Sequence, residues 1–167
     1  MKDRFIVALA QGWGVGRIPF GPGTWGSLVG LLWFVLLLQT PNLWWFLAGT
    51  AAGLGCSVWI CGAAENILRE RDPSSVVLDE VAAVPLCFIA LVASAWVQQG
   101  RLPEAAWFFE HPGWTRTAVV FVLFRVFDIA KPWPVRQSQN LAGGWGVTAD
   151  DVLAAVYVNL LQLPFLP

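Results

Sequence analysis

The sequence predicts an all-α fold: a polytopic integral membrane helical bundle of about four to five transmembrane or re-entrant helices plus a short N-terminal helix, forming a single domain over residues 1–167. Three observations carry that prediction. The composition is 57% apolar and only 13% charged, with mean hydropathy +0.61, far from an ordinary soluble domain. Five apolar stretches recur, at about 24–39, 42–63, 79–98, 114–130 and 149–166, each near the length needed to cross a hydrocarbon core of about 30 Å. Eleven Trp and eleven Phe stand against one Tyr, as suits a lipid-embedded bundle that needs bulk in its core and amphipathic rings at headgroup level.

The N-terminal segment MKDRFIVALAQG has a charged start and a short apolar run, but polar glycine-rich sequence follows where a cleavage site would be, so it reads as a short helix and not as a signal peptide. The first apolar stretch is preceded by Gly12-Trp-Gly-Val-Gly-Arg-Ile-Pro19-Phe-Gly21-Pro22-Gly23-Thr24-Trp25-Gly26-Ser27. Glycine there permits close backbone approach, Thr24 can cap the helix, and free amides at a helix start favour an anion such as phosphate. The same pattern also serves as a plain turn with small-residue packing. The second stretch follows Pro41-Asn42. The third opens on Asp79-Glu80 and the fifth on Asp150-Asp151. A single acid pair at a helix N-terminus is explained by the macrodipole and by capping. Two pairs entering apolar helices at one depth point further, because ionisable groups at membrane depth are costly and need partners.

The fourth stretch ends in Phe124-Arg125-Val126-Phe127-Asp128-Ile129-Ala130-Lys131-Pro132-Trp133-Pro134. At helical spacing Arg125, Asp128 and Lys131 share a face until Pro132 stops the helix. They make either an internal salt bridge or a phosphate clamp. Asp128 with the two acid pairs places five carboxylates in one neighbourhood, and an all-oxygen ligand set of that kind favours a hard cation such as Mg²⁺. Mg²⁺ to polarise phosphoryl oxygens, Arg or Lys to clamp them and a carboxylate to orient water together fit phosphate ester hydrolysis. Gly143-Gly144-Trp145-Gly146 supplies a flexible approach to the same place, or a turn.

Charge sidedness follows from alternating loops. With five spans, the N-terminus, the 64–78 loop and the 131–148 loop share a side. Eight of the ten basic residues lie there, as do nine of the eleven acids, and the positive-inside rule makes that side cytoplasmic. Other chemistries fall away. A net charge of −1 and the absence of a basic run exclude nucleic acid. Cys56, Cys61 and Cys87 sit inside apolar stretches with no CxxC, and read as packing residues. The lone His111 is on the opposite side from the acids, which removes histidine nucleophiles, and neither a cysteine-phosphatase loop nor a DxD motif is present.

Together these segments resemble the phosphatidylglycerophosphatase A family of bacterial membrane enzymes. The matching pieces are Pro22-Gly23-Thr24-Trp25-Gly26-Ser27-Leu28, Asp79-Glu80, the Phe124–Pro134 run and Gly143-Gly144-Trp145-Gly146-Val147-Thr148-Ala149-Asp150-Asp151, spanning 12–155. The resemblance implies Mg²⁺-dependent removal of the terminal phosphate of phosphatidylglycerophosphate, with membrane lipid as surroundings, at the cytoplasmic face of the inner membrane. It implies Asp79, Glu80, Asp128, Asp150 and Asp151 as catalytic and metal residues. Arg125 and Lys131 are then phosphate clamps, with Thr24, Gly26 and Ser27 beside them. Ala83 and Ala155 depart from glycines usual in the family. The alternatives are a phosphatase for another lipid or polyprenyl phosphate, and a non-catalytic cation-binding or transport bundle whose acids would line an ion path.

Overall fold

The computed structural model describes residues 1–166, and among these every regular element is helical. The order is α1 (Lys2–Ala10), a 3₁₀ stretch (Gly12–Arg17), α2 (Pro22–Leu38), α3 (Leu43–Leu68), α4 (Leu78–Cys87), α5 (Ile89–Gln99), α6 (Ala105–Phe109), α7 (Gly113–Ala130), α8 (Val135–Ser138) and α9 (Gly144–Gln162), with a last 3₁₀ turn at Leu163–Phe165. The expected short N-terminal helix is α1.

Two segments are long and apolar enough to cross a membrane, Leu43–Leu68 and Leu78–Gln99, with mean hydropathies of 1.5 and 2.0 over their most apolar windows. Only 22% of the first window is buried inside the protein, so most of its apolar surface looks outward.

The third apolar stretch is not one continuous helix. Pro85 has no N–H to give the helix ladder and its ring crowds the carbonyl one turn earlier, and the chain breaks at Phe88 into α4 and α5. The groups freed by the break are met from α9. Asn159 donates to the Leu86 carbonyl (2.8 Å) and accepts from the Ala90 N–H (2.9 Å), while Gln162 donates to the Cys87 carbonyl (2.9 Å).

The fifth stretch also differs from expectation. It begins at Gly144, not near residue 149, so Asp150 and Asp151 lie about 10 Å inside the helix by its rise per residue and do not cap it. Of the glycines that read as a flexible approach or a turn, Gly143 is a turn residue at φ 57°, whereas Gly144 and Gly146 are helical, and Gly144 lets α9 lie close against α3. A Cβ on Gly62 would stand 2.7 Å from the Gly144 nitrogen.

Helix α2 packs along α4, and α9 packs against α3, α4 and α7. Gly30 makes the first contact possible, since a Cβ there would stand 2.7 Å from Val84. Ala83 and Ala155, the two departures from glycine, are fully buried in the core, where a methyl is accommodated. At one end of the bundle sits an aromatic core. Phe34 stacks on Phe88 at 4.2 Å and meets Phe108 edge-on at 4.8 Å, and all three are fully buried with Phe46 and Phe124.

The other end gathers the N-terminus and the two long polar loops, as the alternation of loops predicts. Val77 donates to the Ala10 carbonyl, Gln11 to the Ser75 hydroxyl, and Arg71 to the Gln139 carbonyl. Ala10, Cys61, Ala64, Val76 and Val147 form a small apolar layer beneath these loops.

Candidate active site

Asp79 and Glu80 occupy the first turn of α4, as expected, and Asp151 comes from the second turn of α9. These three converge: one carboxylate oxygen from each lies within 4.8 Å of the others. Asp79 is 6% exposed and Asp151 2%. Asp79 Oδ1, Glu80 Oε2 and Asp151 Oδ1 are buried without a hydrogen-bond partner. A buried carboxylate oxygen left bare is expensive. The three carboxylates face one small volume, where a cation would neutralise them together, and a ligand set made only of oxygen suits a hard divalent ion. The donor set therefore fits a metal.

The other two acids are engaged differently. Asp128 accepts a 2.8 Å ion pair from Arg125 on the preceding turn of α7. The same guanidinium stands 3.8 Å from Glu80 and donates to the Ser27 hydroxyl at 3.3 Å. Its Nε is buried without a partner. Arg125 thus bridges the acid cluster to α2 and keeps one donor in reserve.

Asp150 pairs with Lys131 and accepts from Gln139 Nε2 at 3.1 Å. The shared face of Arg125, Asp128 and Lys131 ends one residue early. Residues before proline disfavour helical geometry, and Lys131 is the left-handed C-cap of α7 at φ 44°, turned to Asp150. Burial alone would lower the Lys131 pKa. Its hydrogen bond to Asp150, with the charges of Asp150, Asp128 and Asp72, outweighs burial and raises it above the ordinary lysine value, so the ammonium stays charged.

Among the glycine-rich segment's residues, Ser27 is fully buried and donates to the Gly23 carbonyl while accepting from Arg125. Gly23 is the point of closest approach, because a Cβ there would strike the Glu80 carboxylate. Gly26 packs on Val77, where a Cβ would stand 2.8 Å from the valine Cβ. Thr24 is not the helix cap. Pro22 opens α2 with Gly21 left-handed before it, and neither position takes a side-chain cap, so Thr24 lies inside the first turn. Gln139 is a residue that sequence reading passed over. It bridges Asp150 to Asp72 from a loop with no motif around it.

The whole arrangement, a three-carboxylate cradle flanked by a forked cation and a shielded lysine, lies on segments that a known family shares. The profile of the family described as Phosphatidylglycerophosphatase A matches residues 8–165. The chain belongs to this family. Its members include a Haemophilus influenzae protein named Phosphatidylglycerophosphatase A, 38% identical over 93% of this chain and 85% of its own length. The Escherichia coli protein of the same name is 33% identical over 89% of this chain and 76% of its own. A Bacteroides thetaiotaomicron relative with the provisional name phosphatidylinositol-3-phosphatase is 36% identical over 93% of this chain and 89% of its own. No solved structure matches the chain.

Proposed function

We infer that the protein is a lipid phosphatase that removes the terminal phosphate monoester of phosphatidylglycerophosphate to give phosphatidylglycerol, with the whole chain acting as one domain. The observation that carries this reading is the trio of carboxylates, each with a bare buried oxygen, beside a guanidinium with a spare donor. In the reading, Asp79, Glu80 and Asp151 hold Mg²⁺. The ion supplies charge neutralisation at the phosphoryl oxygens and a water of lowered pKa. Arg125 offers its unpaired Nε to a phosphoryl oxygen, and Asp128 and Ser27 keep the guanidinium aimed. Lys131, held charged by Asp150, adds a second cation at the mouth. The first turn of α2, with Thr24, Gly26 and Ser27, brings backbone amides toward the anion.

The setting is a bacterial inner membrane, crossed or entered by α2, α7 and α9 as well as by the two longer segments. Leu32 and Leu36 on α2, Val122 and Ile129 on α7, and Leu160 on α9 all stand exposed, a distribution that suits lipid and not water. The excess of basic residues at the acid end supports a site on the cytoplasmic face. An ion-conducting bundle is disfavoured because the buried charges, Asp79, Asp128, Asp150 and Asp151, all lie at one end.

The test is phosphate release from phosphatidylglycerophosphate in detergent. Wild-type protein with Mg²⁺ releases phosphate, and EDTA, Asp79→Asn or Asp151→Asn lowers the rate at least a hundredfold. Undiminished release in EDTA, or full activity in both variants, rejects the metal site. A relative named for another lipid phosphate makes phosphatidylinositol 3-phosphate the second substrate to include. Faster release from that lipid moves the assignment of headgroup while leaving the chemistry in place.

A further inference from the structure

Between α2, α3 and α4 runs an open-sided apolar groove of about 540 Å³, lined by Leu32, Leu36, Gly53, Cys56, Leu78 and Val81 among others. Its size lies within the roughly 300–1,000 Å³ of small-molecule sites. Three features say what occupies it. One end is at Leu78, the residue before Asp79, so the groove begins beside the acid cluster on the same helix. It then runs away from the acids along α3 from Ile60 to Gly49, about 16 Å by helix rise. One leaflet of a hydrocarbon core of about 30 Å is about 15 Å deep. An extended chain whose headgroup reaches Asp79 therefore fills the groove to the middle of the bilayer.

A second copy of the chain is the rival occupant, since Gly49 and Gly53 form the small-residue spacing that lets membrane helices associate. Both glycines are already used within the chain. A Cβ on Gly53 would stand 3.2 Å from the Trp33 indole nitrogen, and one on Gly49 would meet the Leu37 side chain, so side chains of α2 already border both glycines and keep a second helix from the close approach that spacing serves.

We propose that this groove seats one acyl chain of the substrate lipid and positions its phosphate at the carboxylate trio. The proposal rests on the phosphatase reading for the identity of the lipid. Filling the groove with Cys56→Trp raises KM for phosphatidylglycerophosphate bearing sixteen-carbon chains tenfold or more, and leaves kcat/KM for the dibutanoyl analogue within twofold. An equal loss on both substrates, or no loss on either, overturns the groove.

A second measurement needs neither a variant nor turnover. Cys56 is exposed while Cys61 and Cys87 are buried, so maleimide alkylation in proteoliposomes reads the groove directly. A sixteen-carbon phosphonate analogue of phosphatidylglycerophosphate, with Mg²⁺, slows alkylation at least fivefold over phosphatidylcholine. Equal rates with both lipids mean bulk lipid or a second copy lies there, and overturn the proposal. If wild-type protein dephosphorylates neither substrate, the phosphatase reading fails on its own, and protection of Cys56 still decides the groove.

Discussion

Arg125 is held by three different partners at once: Asp128 at 2.8 Å, Ser27 at 3.3 Å and Glu80 at 3.8 Å. All three are met by one terminal nitrogen, Nη1, so the rest of the planar guanidinium, its buried Nε included, is left for another acceptor. Lysine carries the same charge on one point. Arg125→Lys is therefore expected to lower kcat/KM for phosphatidylglycerophosphate about a hundredfold while the protein still folds and binds Mg²⁺, measured as phosphate release beside a metal titration. A value within threefold of wild type would show that charge alone is used. At this scale the sequence was informative about which residues gather and silent on how they pair. Five acids at one end were legible from their places at helix starts and beside Arg125. That Asp128 and Asp150 answer to Arg125 and Lys131 while Asp79, Glu80 and Asp151 each keep a bare oxygen depends on the turn Lys131 makes at φ 44° and on the depth of Asp151 in α9. Neither is a property of local spacing.

The interruption between α4 and α5 shows the same limit for elements. Pro85 was visible in the sequence, but a proline inside an apolar run is compatible with a kinked span as well as a broken one. What decides is the presence of partners for the freed groups, and Asn159 and Gln162 lie more than seventy residues away in the chain. Asn159 alone meets Leu86, Ala90 and the carbonyl of Ala155. Asn159→Leu keeps the volume and strips the Leu86 carbonyl and Ala90 N–H of their partners, for an expected loss of about 1–3 kcal/mol. A lowered midpoint of thermal unfolding in detergent reads that loss. An unchanged midpoint would mean that water or lipid headgroups satisfy the break instead. The glycines at the start of α9 divide for a related reason: Gly143 is the turn that the sequence suggests, but Gly144 is required by the closeness of Gly62, and a packing demand has the same residue signature as a turn.

Over the whole molecule, charge sidedness was the most legible property. Pairing loops by alternation placed the N-terminus, the 64–78 loop and the 131–148 loop together, and the hydrogen bonds from Val77 to Ala10, Gln11 to Ser75 and Arg71 to Gln139 bind them into one end. The expected consequence is that Ser138→Cys, in a Cys56→Ser background whose remaining Cys61 and Cys87 are buried, reacts with a membrane-impermeant maleimide only from the cytoplasmic side, and His111→Cys only from the opposite side. Labelling of both from one side would overturn the topology. The staple that Asn159 and Gln162 place on the break has a consequence in time as well as in space. Helix α9 follows every other long helix in chain order and carries Asp151 as well as both staple residues. A polypeptide still emerging from the ribosome therefore holds Asp79 and Glu80 on an unsecured segment until α9 has been made, and the carboxylate trio comes together only after that.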